Sequence, residues 1–126
     1  MGLDMYLSKI PISQRVEDTD YENCEEVAYW RKFNALHNWF VQNCQNGVDQ
    51  CQYAEVTQEQ IQELQNLLEM LSPTNCEDLL PTQSGFFFGN TEYGEDYWSD
   101  VRETIETLGN RDIDWETEKL VYHSSW

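Results

Sequence analysis

Hydrophobic and polar residues alternate from Gly2 to Ile10, with Leu3, Met5 and Leu7 on one side and Asp4, Tyr6 and Ser8 on the other. That period of two is the signature of a strand with one buried face, and Pro11 ends it. From Glu26 to Gln45 the chain has neither Gly nor Pro, and Trp30, Phe33, His37, Phe40, Val41 and Cys44 recur at helical spacing. The spacing predicts a central helix, which Leu36 and Trp39 make apolar on more than one side. Asn46-Gly47 supplies its stop, glycine being free to take the left-handed conformation that closes many helices.

A further helix is predicted after Thr57, which stands three residues before Gln60 as in a capping box, with Ile61, Leu64, Leu67, Leu68 and Leu71 on one face and Ser72-Pro73 at its end. Another is predicted over Asp96 to Leu108, where Trp98, Val101, Ile105 and Leu108 repeat at helical intervals before Gly109. Cys51 to Val56 is weakly strand-like. Asn75 to Asn90 is irregular and contains Ser84-Gly85-Phe86-Phe87-Phe88-Gly89, which fits either a strand or a folded loop. Trp115 to Trp126 carries Leu120, Val121 and Tyr122 and is predicted to pair with the first strand. The pattern therefore predicts one α+β domain over residues 1–126, with about three helices packed on a small, mainly antiparallel sheet formed by the N- and C-terminal strands. Its central helix should be the most buried element.

Composition agrees with one core, since 126 residues with 40% hydrophobic and 13% aromatic content suffice for a single domain. No stretch approaches the roughly 18 consecutive apolar residues of a membrane span. Met1 to Ile10 is too short and too polar for a signal peptide, so a cytoplasmic location is expected. There Cys24, Cys44, Cys51 and Cys76 should stay thiols.

Charge changes the picture more. The formal net charge is −17, from 24 acidic and 7 basic side chains. Residues 17–26 and 49–79 contain no Lys or Arg, whereas 27–48 holds Arg31 and Lys32 and no acid. Such a balance repels nucleic-acid phosphates and anionic membranes and favours a basic protein partner. Glu59, Glu63 and Glu69 of one predicted helix, with Asp100, Glu103 and Glu106 of the next, are the candidate partner-binding surface. Lined up on solvent faces, they would imitate the phosphates of a duplex.

Candidate chemistry is sparse. His37, Cys44 and Cys51 are near in sequence, and His123, Cys24 and Cys76 could join them, but no Cys-x-x-Cys pair of the kind structural zinc favours occurs. Neither Gly-x-Ser-x-Gly nor Gly-x-x-x-x-Gly-Lys is present, although His37 or His123 could serve as a base and Cys44 as a nucleophile. No metal, cofactor or catalytic residue is assigned. Arg31 and Lys32 sit among aromatic residues, and Trp30, Arg31, Lys32, Trp39 and Phe87 form a candidate pocket for a nucleotide or another small anion. It would lie where the central helix meets Phe86-Phe87-Phe88, with Gly85 and Gly89 letting the backbone approach. Core packing of the same aromatics is the competing reading.

Met1-Gly2-Leu3-Asp4-Met5-Tyr6-Leu7, Tyr29-Trp30-Arg31-Lys32, His37-Asn38-Trp39-Phe40, Leu79-Leu80-Pro81-Thr82-Gln83-Ser84-Gly85-Phe86-Phe87-Phe88-Gly89 and Ser124-Ser125-Trp126 occur in this order. Together they resemble a family of small proteins common in bacteriophages and bacterial mobile elements, over nearly the whole chain. The resemblance carries no catalytic residue over. What it implies is a setting, the cytoplasm of an infected bacterium. In that setting the expected function is non-catalytic: binding and inhibiting a basic host protein that handles nucleic acid or serves in defence. The alternative is sequestration of a small anionic ligand.

Overall fold

The alternation at the N-terminus becomes strand β1 (Asp4–Pro11), and the C-terminal strand formers become β4 (Glu118–Ser125). The two run antiparallel in unbroken register from Asp4↔Ser125 to Pro11↔Glu118. A computed structural model describes residues 2–85 and 87–126; Met1 and Phe86, both named in the sequence motifs above, lie outside the described residues. Strands β2 (Glu25–Arg31) and β3 (Ala54–Val56) flank the central pair, giving the order β2-β1-β4-β3 with every pairing antiparallel. Helices α1 (Asn34–Cys44), α2 (Gln58–Met70), the one-turn α3 (Cys76–Leu79) and α4 (Glu95–Gly109) complete the α+β fold.

One face of the sheet carries the core. Leu3, Met5, Leu7, Ala28, Trp30, Val56, Leu120 and Tyr122 pack there with Leu36 and Phe40 of α1, Ile61, Leu64 and Leu68 of α2, and Val101 and Leu108 of α4. At its centre the rings of Phe40 and Tyr122 stack with centroids 3.9 Å apart and planes 11° from parallel. On the opposite face Ile10 and Val121 are buried outside that cluster. The chain after Pro11 carries two short 3-10 turns, Val16–Asp18 and Tyr21–Asn23, and brings Tyr21 within 5.9 Å of His123 on this side.

The helix expected over Glu26 to Gln45 is corrected to a strand followed by a shorter helix. In β2, Ala28 and Trp30 are buried while Tyr29 and Arg31 are exposed, a period of two that matches pairing with β1. Tyr29 Oη and Arg31 Nη1 both donate to Asp4 Oδ1, at 2.5 and 2.7 Å, so the exposed face of the pair is tied by charge-assisted bonds. Lys32 then takes a left-handed conformation with φ of 59°, which breaks the strand and turns the chain into α1. From Asn34 onward the helical spacing holds, and α1 buries Ala35, Leu36, His37, Phe40 and Val41.

Residues 84–89, open between strand and loop in the sequence, form no strand in their described part. The Thr57 capping box is present in both directions: Thr57 Oγ1 accepts from the Gln60 amide at 3.1 Å, and Gln60 Oε1 accepts from the Thr57 amide at 2.9 Å.

Truncating Phe40 to Ala should cost about 3–5 kcal/mol, because it removes the ring stacked on Tyr122 and leaves a void. Thr57→Ala should cost about 1 kcal/mol by releasing the cap. Urea unfolding followed by circular dichroism checks both, with the order of the two losses as the decisive result.

Candidate functional site

Burial of Ile61, Leu64 and Leu68 orients α2 so that Glu59, Glu63 and Glu69 are exposed. Burial of Val101, Thr104 and Leu108 does the same for Glu103 and Glu106 of α4, which packs beside α2. Glu59 and Glu63, four apart, share one ridge, as do Glu103 and Glu106, three apart. Glu69, six residues beyond Glu63, is turned away by roughly a third of a turn. Among the described residues none of these five carboxylates has a cation or hydrogen-bond donor of its own. Lys9 pairs instead with Glu25 and Glu118, Arg15 with Glu17 and Asp18, Arg31 with Asp4, and Lys119 with Glu55.

Asp100 does not join that open surface. It is partly buried, and burial, reinforced by the nearby charges of Glu103 and Asp96, pushes its carboxyl up to about 6. It faces a polar cavity of about 320 Å³ lined also by Arg31, Lys32, Asn34, Asn90 and Asp96. With Glu92 also in the lining, the two cations and three carboxylates there make a mixed environment rather than a cradle for anions.

The pocket expected from Trp30, Arg31, Lys32, Trp39 and Phe87 is thus not one pocket. Trp30 is core, its indole Nε1 donating to Thr104 Oγ1 at 2.8 Å. Trp39 lines a shallow hollow with Leu79 and Pro81. Phe87 belongs to a third cavity, on another side of α1. Gly85 and Gly89, expected to let the backbone approach a ligand, lie instead against the protein's own side chains: a Cβ on Gly85 would lie 2.7 Å from the Phe88 ring, and Gly89, at φ of 83°, packs against the Lys32 stem.

That third cavity, about 450 Å³, opens where α1 meets residues 83–85, 87 and 88. Asn34 fixes the junction: its amide nitrogen donates to the carbonyls of Phe88 and Asn90 at 2.9 and 2.8 Å, and its oxygen accepts from the Gln83 amide at 2.9 Å. His37, wholly buried, reaches the cavity wall between two partners. Its Nδ1 is 2.6 Å from Tyr122 Oη, and its Nε2 is 3.0 Å from Asp49 Oδ2, close but off the line of a good hydrogen bond. Asp49 Oδ1 also accepts from Trp126 Nε1 at 3.1 Å.

Burial lowers the proton affinity of His37, with Asp49 partly opposing it, while burial holds the Tyr122 phenol well above its usual value. The ring is therefore neutral near pH 7. Tyr122 donates to Nδ1, and the Nε2 proton faces Asp49. The sequence singled out His37 as a candidate, named Trp126 only within the Ser124-Ser125-Trp126 motif and passed over Asp49, because nothing local links a loop residue to a side chain at the far end of the chain.

On the outer face of the sheet Tyr6, His123, Tyr53 and Tyr21 form successive contacts with centroids 4.8, 4.3 and 4.0 Å apart. These rings largely cover one another, and Glu22 and Glu26 border the adjoining hollow. The four cysteines are free thiols; burial pushes Cys44 up to about 12, which leaves it protonated and a poor nucleophile. Among the described residues no group of three His, Cys, Asp or Glu side chains is placed to hold a metal ion, and no helix is long and apolar enough to cross a membrane. Compared with family models, curated proteins and solved structures, the chain matches none.

The raised Asp100 carboxyl binds its proton more tightly folded than unfolded, so its contribution to stability is complete below about pH 3.8 and lost as pH rises through about 6. Asp100→Asn should therefore stabilise the protein by about 1–2 kcal/mol near pH 8 and have little effect near pH 4. Urea denaturation at the two pH values measures the difference.

Proposed function

We propose that this is a non-catalytic protein that binds, and thereby inhibits, a basic partner through the exposed carboxylates of α2 and α4. One observation carries the reading: Glu59, Glu63, Glu69, Glu103 and Glu106 have no cationic partner within the described chain, while Lys9, Arg15, Arg31 and Lys119 pair with other acids. A net charge of −17 places those carboxylates in a negative field that attracts basic surfaces and repels phosphates. The sequence resemblance to bacteriophage and mobile-element proteins supplies the proposed setting, a bacterial host whose nucleic-acid-handling or defence proteins present basic grooves. Asp100, half withdrawn from solvent, is excluded from the contact surface.

The second reading, sequestration of a nucleotide or similar small anion, draws on the cavity beside Arg31 and Lys32. Glu92, Asp96 and Asp100 in its lining weaken it. Arg31 is also already engaged by Asp4.

Immobilised protein should capture a basic protein from bacterial extract at low salt and release it as salt rises, since screening acts on exposed charges. The combined change of Glu59, Glu63 and Glu69 to Gln should weaken binding about tenfold, taking roughly 0.5 kcal/mol for each exposed charge. Capture that is indifferent to both salt and the triple substitution would refute this reading.

A further inference from the structure

The cavity between α1 and residues 83–85, 87 and 88 combines aromatic walls with an uncompensated carboxylate. Phe87, Phe88 and Trp126 supply the rings, and the Trp126 indole meets Phe88 at 74° with centroids 6.3 Å apart, so the two form a corner rather than a closed stack. Asp49 is the charged residue of the lining. It accepts one bond from Trp126 Nε1 and faces His37 Nε2, but an ionised carboxylate offers about four acceptor positions, so half its capacity is open. His37 does not neutralise it. The imidazole is wholly buried and its Nδ1 is occupied by Tyr122 Oη, an arrangement that orients the ring without charging it.

At the rim, the side chains of Asn38, Gln42 and Ser84 have no hydrogen-bond partner among the described residues and remain available to a ligand. A small anion would meet Asp49 and the field of a −17 protein, and a purely apolar molecule would leave the carboxylate stripped of water and unpaired. A cation satisfies both groups of walls at once, since its charge pairs with the carboxylate and is attracted to aromatic faces.

The geometry points to a binding site for an organic cation with an apolar body, a guanidinium, amidinium or primary amine on an aliphatic or aromatic stem, paired with Asp49 and packed against Trp126. The inference does not rest on the acidic face of α2 and α4. The same chemistry has two sources, a free small amine or a basic side chain of another protein.

Titration of the full chain with benzamidine, its neutral isostere benzamide and N-acetylargininamide tests it, read from the indole N–H resonance of Trp126. Benzamidine should shift that signal saturably, and benzamide should bind at least about tenfold more weakly. Asp49→Asn should lose about tenfold in benzamidine affinity, and Trp126→Leu, read from amide resonances of residues 83–88, should weaken it as well. Dispersed methyl resonances establish that each variant is folded. Binding of N-acetylargininamide within a few-fold of benzamidine would assign the source to a protein side chain, whereas benzamidine binding without it would assign a free amine. Substituting Gln for Glu59, Glu63 and Glu69 should leave the titration unchanged, which separates this site from the acidic surface. The inference is overturned by no saturable shift, by benzamide binding as well as benzamidine, by an unaffected Asp49→Asn protein, or by loss of the shift in the triple Gln variant.

Discussion

The pairing of β1 with β4 is the constraint from which the rest of the structure follows. Eight consecutive partners join the two ends of the chain at the centre of the sheet, leaving β2 and β3 as edges. Such a contact closes nearly the entire chain into a loop, and although closure entropy grows only slowly with length, it must be offset by what the pair buries. Leu7 opposite Tyr122 and Met5 opposite Ser124 put Leu7, Met5 and Tyr122 on the face where α1, α2 and α4 converge. A one-residue slip would turn Tyr122 to the outer face and remove the ring on which Phe40 stacks. Register and core are therefore specified together.

The same ladder explains how a buried side chain comes to shape a surface cavity. Tyr122 is inward because of its register, and its hydroxyl holds His37 from within the core. Four positions later the strand has ended, and Trp126 reaches Asp49 on the loop after α1. A polar chain thus runs from Tyr122 through His37 and Asp49 to Trp126, its inner half dry and its outer half in contact with solvent. Removing the Tyr122 hydroxyl would strip the buried Nδ1 of its donor, and an unpaired buried group costs more than the bond itself contributes. The cavity wall is therefore positioned by the core, which favours a preformed shape over one assembled on binding.

Elements whose signals are local were legible in the sequence. The alternation of β1, the capping box and apolar stripe of α2, the stripe of α4 and the strand formers of β4 all state a period that the packing obeys. Between Glu26 and Gln45 two periods overlap: Trp30, Phe33, His37 and Phe40 fit a helix, while Ala28 and Trp30 against Tyr29 and Arg31 fit a strand. The boundary lies at Lys32, a residue that seldom takes the left-handed conformation and carries none of the warning that Gly or Pro would give. The exposed glutamates of α2 and α4 were legible for the same local reason, since an apolar stripe fixes where the opposite face points, whereas the partial burial of Asp100 depends on the loop packed beside α4 and was not. The cavity was half legible. Its place, where α1 meets the phenylalanine segment, follows from apolar runs that must pack together, but Asp49 and Trp126 reach it only through pairing across the whole chain.

Charge acts in this molecule at two ranges. Carboxylates on α2 and α4 act through water, where a screening length of about 8 Å at physiological salt would confine them to attracting and orienting the proposed partner at close approach. Asp49 is half-buried beside the Trp126 indole and a neutral imidazole, so its field is weakened less by solvent than that of a fully exposed carboxylate. Electrostatics of the first kind governs encounter and tolerates many arrangements of charge. The second kind depends on shape, because desolvating Asp49 is repaid only by a group that replaces its lost water with matched donors. An excess of acid over base thus need not mean one function spread over one surface: under the two proposals the exposed carboxylates would set what approaches, and Asp49, held in a wall built from the core, would discriminate by what fits.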